Sequence, residues 1–161
     1  MRRVLSVLVE NEPGVLSRVA GLFSGRGFNI ESLNVAPSLE DGLSHMTITT
    51  TGDSSVIEQI VKQLRKLVTV VKVVDYEGIT TVEREMMLIK VQADDTRRGE
   101  VLRLADIFRC KVVDVGLTDL TLEVSGDHEK IQAVIGLLAR FGIREFARTG
   151  TVALRRSMQP E

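Results

Sequence analysis

Asn11, Pro13 and Gly14 stand within four residues of one another, between an apolar run over residues 4–9 and a helical pattern opening near Val15. A strand that runs out at Glu10 and a helix that starts close to Pro13 leave the helix's first amides without intrahelical acceptors. Those N–H groups and the positive end of the helix dipole suit an anion or a carboxylate. Proline fits a first helical position because its φ is already helical and it lacks the N–H that would be orphaned there. Gly14 adds no side chain, so a ligand can approach the backbone closely. Asn11 brings an amide that both donates and accepts, matching the carboxylate and ammonium of a free amino acid. Amides are poor proton-transfer groups, so this chemistry is recognition and not catalysis.

The elements that must hold this loop can be read around it. Residues 4–9, rich in Val and Leu, form a buried central strand. Val15, Leu16, Val19, Ala20 and Phe23 fall at helical spacing, and Gly25 and Gly27 end that helix. Residues 28–35 and 43–49 alternate apolar and polar around the turn signal Asp41-Gly42. Asp53 caps a second helix with Val56, Ile57, Ile60, Val61, Leu64 and Leu67 on its core face, and residues 70–74 close the unit as a strand. The order is β-α-β-β-α-β.

That order recurs after about eighty residues, far beyond solenoid periods. Residues 87–93 form a strand and 98–108 a helix, then a hairpin turns near Thr118-Asp119. Asp127 caps a last helix, and residues 143–154 return as one final strand. The chain is therefore α+β, two tandem ferredoxin-like split-βαβ domains, 1–77 and 78–161, with a link at residues 77–80. In place of the Asn-x-Pro-Gly loop the second half has Asp94-Asp95-Thr96-Arg97, so the halves share a fold but not a ligand.

Composition narrows the function. Net charge is -1, with 8 basic and 9 acidic residues in 1–78 and 13 of each in 79–161, so neither half has the basic surplus of a nucleic-acid binder. Aromatic residues are 4% of the chain, too few for a base-stacking sheet. Cys110 stands alone, which points to a reducing cytosol and an inert thiol. Met1-Arg2-Arg3 is followed by too short an apolar run for a signal peptide, and no stretch approaches a membrane span. His45 and His128 have no cysteine or carboxylate at metal spacing. Gly25-Arg26-Gly27 follows a helix and is too short for a phosphate loop. Arg144, Arg148, Arg155 and Arg156 read as a solvated basic tail able to meet an acidic partner surface.

In a split-βαβ sheet the second strand is an edge. It runs parallel to the first with the third between them, so Asn11 and Asn29 of one chain lie at opposite ends. If two copies pair antiparallel along residues 30–33, Asn29 of one meets Asn11 and Gly14 of the other across a two-fold axis.

The unit carrying Asn11-Glu12-Pro13-Gly14-Val15-Leu16 resembles an ACT domain, the amino-acid-sensing module of metabolic enzymes. Residues 22–33, Arg84-Glu85-Met86-Met87-Leu88-Ile89-Lys90-Val91 and Arg148-Thr149-Gly150 followed by Val152-Ala153-Leu154 are similar to the small regulatory subunit of acetolactate synthase (acetohydroxyacid synthase). The resemblance implies a chain that is no enzyme by itself. It would activate a catalytic large subunit holding thiamine diphosphate, Mg and FAD, and confer feedback inhibition by valine in branched-chain amino acid biosynthesis. It implies a cytoplasmic homodimer through the ACT domains, with neither nucleic acid nor membrane as partner. Asn11, Gly14 and Asn29 match the family's effector positions, with Val15, Leu16 and Ile30 supplying backbone and apolar contacts. The alternative is a free-standing ACT-type sensor regulating a different enzyme or a transcription complex. Phe108-Arg109-Cys110-Lys111 departs from the smaller, more neutral turn expected there.

Overall fold

A computed structural model describes residues 1–157 as two compact units, residues 1–82 with the terminal segment from 150, and residues 83–149. The chain is α+β throughout. In the first unit β1 (Arg2–Glu10), β2 (Ile30–Pro37), β3 (Leu43–Thr51) and β4 (Val70–Asp75) form an antiparallel sheet in the order β2-β3-β1-β4. Helices α1 (Val15–Gly25) and α2 (Ser54–Lys66) cover one face. Every second residue of β1 turns to that face, so Leu5, Val7 and Val9 join Val15, Val19 and Phe23 of α1 in the core. Ile57, Ile60, Val61 and Leu64 complete it from α2, whose first turn is capped by the Asp53 carboxylate accepting from Ser55 N at 2.9 Å. Each such side chain contributes about 1.5–3 kcal/mol by leaving water.

The end of α1 is set by backbone geometry. Gly27 N donates to Ser24 O and Phe28 N to Phe23 O, the paired bonds of a Schellman motif, with Gly27 at φ 70°. This turn delivers Asn29 to the start of the edge strand β2.

The terminal segment returns to the first unit. Arg156 N donates to Thr80 O at 2.9 Å. Thr151 is tied to both edges of the β2-β3-β1 stretch, accepting from the Arg2 guanidinium at 3.2 Å and the Asn34 amide at 3.3 Å. Gly150 sits at φ 84°, and a Cβ there would come within 2.9 Å of Ser32 Cβ, so glycine is demanded twice over. The single last strand expected over 143–154 is therefore two strands, β8 (Ile143–Arg148) and β9 (Val152–Arg155), broken at Thr149-Gly150. β9 pairs with β5.

In the second unit β5 (Thr81–Gln92), β6 (Lys111–Val115), β7 (Asp119–Gly126) and β8 take the order β6-β7-β5-β8. Helices α3 (Arg98–Ile107) and α4 (His128–Leu138) supply Val101, Ala105, Ile131, Val134 and Leu138 to a second core with Met87, Ile89, Val91, Leu120 and Leu122. Asp127 caps α4 by accepting from Lys130 N at 2.8 Å. α3 ends as α1 does, Arg109 N donating to Asp106 O and Cys110 N to Ala105 O, but Arg109 takes the left-handed position, φ 56°, that Gly27 fills in the first unit. No described helix is long and apolar enough to cross a membrane.

Candidate effector site

The loop after β1 is built from the strand outward. Asn11 N donates to Gly42 O at 2.8 Å, holding the strand end against the β2–β3 turn. Glu12 and Val15 are then joined by Val15 N to Glu12 O, 3.4 Å, across Pro13 and Gly14. Gly14 has φ 85° and ψ -8°. Those angles, with proline one residue earlier, make a type II turn, whose third residue needs positive φ. Pro13 thus does not open the helix, as the sequence suggested; it pre-sets a turn, and α1 begins two residues later at Val15. Gly14 is required by its φ before any ligand is considered, while the space where a Cβ would stand is open.

Among the described residues no side chain caps α1. The first i→i−4 bond is Arg18 N to Gly14 O, so the Leu16 and Ser17 amides lie ahead of it at the positive end of the helix. Asn11 is exposed, and its side-chain amide makes no hydrogen bond among the described residues. Leu16 is 45% exposed. Val15, by contrast, is buried in the core, so only its backbone faces the loop.

Asn29 and Ile30 lie elsewhere. Ile30 pairs with Thr50 and Glu10 with Leu43, at the two ends of β3. Seven residues of strand separate those ends, roughly 23 Å. Asn29 is exposed, its carbonyl accepting from Thr50 Oγ1 at 2.8 Å, while its side chain has no partner among the described residues. One chain therefore brings together Asn11, Gly14 and Leu16, and holds Asn29 and Ile30 apart from them on the edge strand.

The second unit shows what the same loop looks like when closed. Ala93 N donates to Thr118 O at 2.8 Å, as Asn11 N does to Gly42 O. Counting from that bond, Ala93 stands where Asn11 does, Thr96 where Gly14 does and Arg98 where Leu16 does. Asp94 accepts from Thr96 Oγ1 at 2.7 Å and from the amides of Thr96 and Arg97, both at 3.0 Å. The Thr96 hydroxyl, then the Arg97 amide, hold its carboxyl below the ordinary range. The Arg98 guanidinium donates to the carbonyls of Ala93, Gly116 and Leu117, the last two at 2.6 and 3.1 Å. A carboxylate already sits on the amides and a cation on the carbonyls, so this loop satisfies itself. Sequence reasoning identified the two carboxylates but missed Arg98, two of whose three acceptors lie 18 and 19 residues away.

The remaining candidates resolve into structural roles. Arg148 is paired with Glu85, Arg144 Nη1 lies 3.3 Å from Asp119 Oδ2 and Arg156 Nε donates to Thr81 O at 3.2 Å, so three of the four arginines of the supposed solvated tail are engaged. His45 Nε2 lies 2.6 Å from Ser6 Oγ. The Cys110 thiol is half-buried, and burial raises its pKa, with Lys130 opposing. Among the described residues no His, Cys, Asp and Glu cluster could hold a metal ion.

Comparison with known proteins covers both units. A family model described as an AHAS small subunit-like ACT domain matches residues 5–72, and one described as the small subunit of acetolactate synthase matches residues 84–157. The chain is 51% identical over 156 residues to a probable acetolactate synthase small subunit of Archaeoglobus fulgidus, covering 97% of this chain and 98% of that one. It is 53% identical over 158 residues to the acetolactate synthase small subunit of Aquifex aeolicus, covering 98% and 82%. The crystal structure of the acetolactate synthase small subunit of Thermotoga maritima superposes with a TM-score of 0.88 at 44% identity, covering 99% of each chain.

Proposed function

The chain belongs to the family of acetolactate synthase small subunits, and we propose that within it the chain activates the catalytic large subunit and makes it sensitive to valine. The chemistry on pyruvate belongs to the large subunit, with its thiamine diphosphate, Mg and FAD. This chain contributes binding energy that differs between two states of the complex, which is all an effector needs in order to change activity. The observation that carries the reading is the contrast between the loops: among the described residues the one after β1 leaves the Asn11 amide unpartnered, while its counterpart ties its own turn amides to Asp94 and its strand-end carbonyls to Arg98.

Valine sets its carboxylate on the Leu16 and Ser17 amides and its ammonium on the Asn11 oxygen or a nearby carbonyl. Leu16 and Ile30 offer apolar surface to its side chain, and Val15 contributes backbone alone. Asn29 and Ile30 come from a second copy paired along the β2 edge, because one chain holds them at the far end of β3.

Complementation between variants tests this. Asn11→Ala and Asn29→Ala homodimers are each expected to lose valine binding by calorimetry. Mixed and re-equilibrated in equal amounts, they should recover about a quarter of the wild-type sites, since half the dimers are mixed and each mixed dimer has one intact site. No recovery refutes a site shared across the two-fold. The same wild-type chain should raise large-subunit turnover without valine and lose that effect with it. Binding of serine or phenylalanine in place of branched-chain ligands would overturn the choice of effector.

A further inference from the structure

Asn29 opens the edge strand on a segment that is exposed, yet its backbone is held from behind. Phe28 N donates to Phe23 O of α1 at 2.9 Å, and the buried Thr50 hydroxyl donates to Asn29 O at 2.8 Å. Ile30, the next residue, pairs with the same Thr50 across the sheet. A third hold comes from packing. The Phe28 ring lies in the space that a side chain at Gly52 would fill: a Cβ built there comes within 2.6 Å of Phe28 Cζ and closer still to Cε1. Gly52 has little room to retreat, because its N–H donates to Met1 O at 3.1 Å and the following residue, Asp53, caps α2. The ring cannot leave freely either, since Phe28 packs against the first core.

The Asn29 amide is therefore carried on a fixed backbone while its own side chain has no partner among the described residues. A binding group works best when the residues behind it are already ordered, because less freedom is lost on binding. We propose that Gly52 and Thr50 are positioning residues of the valine site: neither touches the ligand, and both fix where the Asn29 amide stands when it meets Asn11 and Gly14 of the second copy. The inference rests on the shared site proposed above and extends it to the end of β3 opposite Asn11. Glycine is needed at 52 to seat the Phe28 ring, and a hydroxyl is needed at 50 to hold the Asn29 carbonyl.

Valine calorimetry on full-length chains tests this by complementation. Gly52→Ala is expected to bind valine about tenfold more weakly than wild type. Re-equilibrated with an equal amount of Asn11→Ala, it should recover about a quarter of the wild-type sites at wild-type affinity, because the mixed dimer joins an intact Asn11 to an intact Asn29. With Asn29→Ala it should recover no site of wild-type affinity. Thr50→Val keeps the shape without the hydroxyl and should bind about threefold to tenfold more weakly, with the same preference between partners; Thr50→Ser should stay within about twofold of wild type. Wild-type affinity in Gly52→Ala or in Thr50→Val overturns that residue's role, and an equal loss in Thr50→Ser overturns the role of the hydroxyl. Rescue by Asn29→Ala, or by neither partner, overturns positioning of Asn29, since general damage to the first unit fails with both. Circular dichroism melts read folding, and Thr50→Val carries the complementation by itself where Gly52→Ala does not fold. If Asn11→Ala and Asn29→Ala do not complement each other, the shared site falls first and this inference with it.

Discussion

Gly14→Asp perturbs the effector loop in two ways that a second variant can separate. At φ 85° any L-residue is strained by about 1–2 kcal/mol, so Gly14→Asp and Gly14→Ala should both lower the melting temperature of the first unit by a few degrees. No steric clash adds to this, since nothing lies within 4 Å of a Cβ built there. Only Asp brings a charge. A carboxylate about 5 Å from the valine carboxylate repels it by about 3 kcal/mol at an effective dielectric near 20 and about 0.8 kcal/mol in water-like surroundings. Gly14 is exposed, which favours the lower part of that range: about fivefold to fiftyfold weaker binding for Asp, and less than about threefold for Ala. Calorimetry on folded chains and valine inhibition of the reconstituted holoenzyme read this directly, with activation without valine unchanged. Wild-type valine affinity in Gly14→Asp would refute the site. An equal loss in Gly14→Ala would refute the electrostatic reasoning, because the methyl carries no charge.

Arg109→Gly should stabilise the second unit by about 1 kcal/mol, because Arg109 holds the left-handed position that Gly27 fills after α1; a melt showing destabilisation would refute the strain. Arg3→Met should cost the first unit about 3 kcal/mol, measured by urea unfolding, since Arg3 is 3% exposed and its guanidinium is paired with Asp75 and, at 2.7 Å, with Glu77. Asp94 has a folded-state pKa below its ordinary value of 3.8, so its stabilising effect is full above that value and is lost as pH falls below it. Asp94→Asn should therefore flatten the acid limb of the second unit's unfolding curve, and an unchanged limb would count against a stabilising role for its bonds to Thr96 and Arg97. Cys110 should react with a disulfide reagent at pH 8 more slowly than a free thiol, because burial raises its pKa.

Much of the scaffold was legible because hydrophobic period and cap chemistry agreed at each element. Val15, Val19 and Phe23 mark the buried face of α1, and Asp53 and Asp127 accept the amides their positions foretold. The errors fall where two local signals competed. Pro13 can open a helix or occupy the second position of a type II turn, and the following Gly14 decides for the turn. Thr149-Gly150 interrupts a run that alternates like one strand, because the close approach to Ser32 is a tertiary fact. Arg144 and Arg148 resembled a free basic tail because their carboxylate partners lie 25 and 63 residues away.

The repeat itself explains why only one of the two loops is open. Both units present a strand end held by one backbone bond, a four-residue step and a helix start, so both create orphan amides beside strand-end carbonyls. In the second unit, Asp94 takes the Thr96 and Arg97 amides of the turn and Arg98 the strand-end carbonyls. In the first, glycine, leucine and an asparagine whose side chain has no partner among the described residues hold the corresponding ground and satisfy neither set. Folding could have closed that loop as it closed the other. Leaving it open forgoes local hydrogen bonds, which is what the proposed valine site requires of the first loop, while the second is tied up by its own side chains.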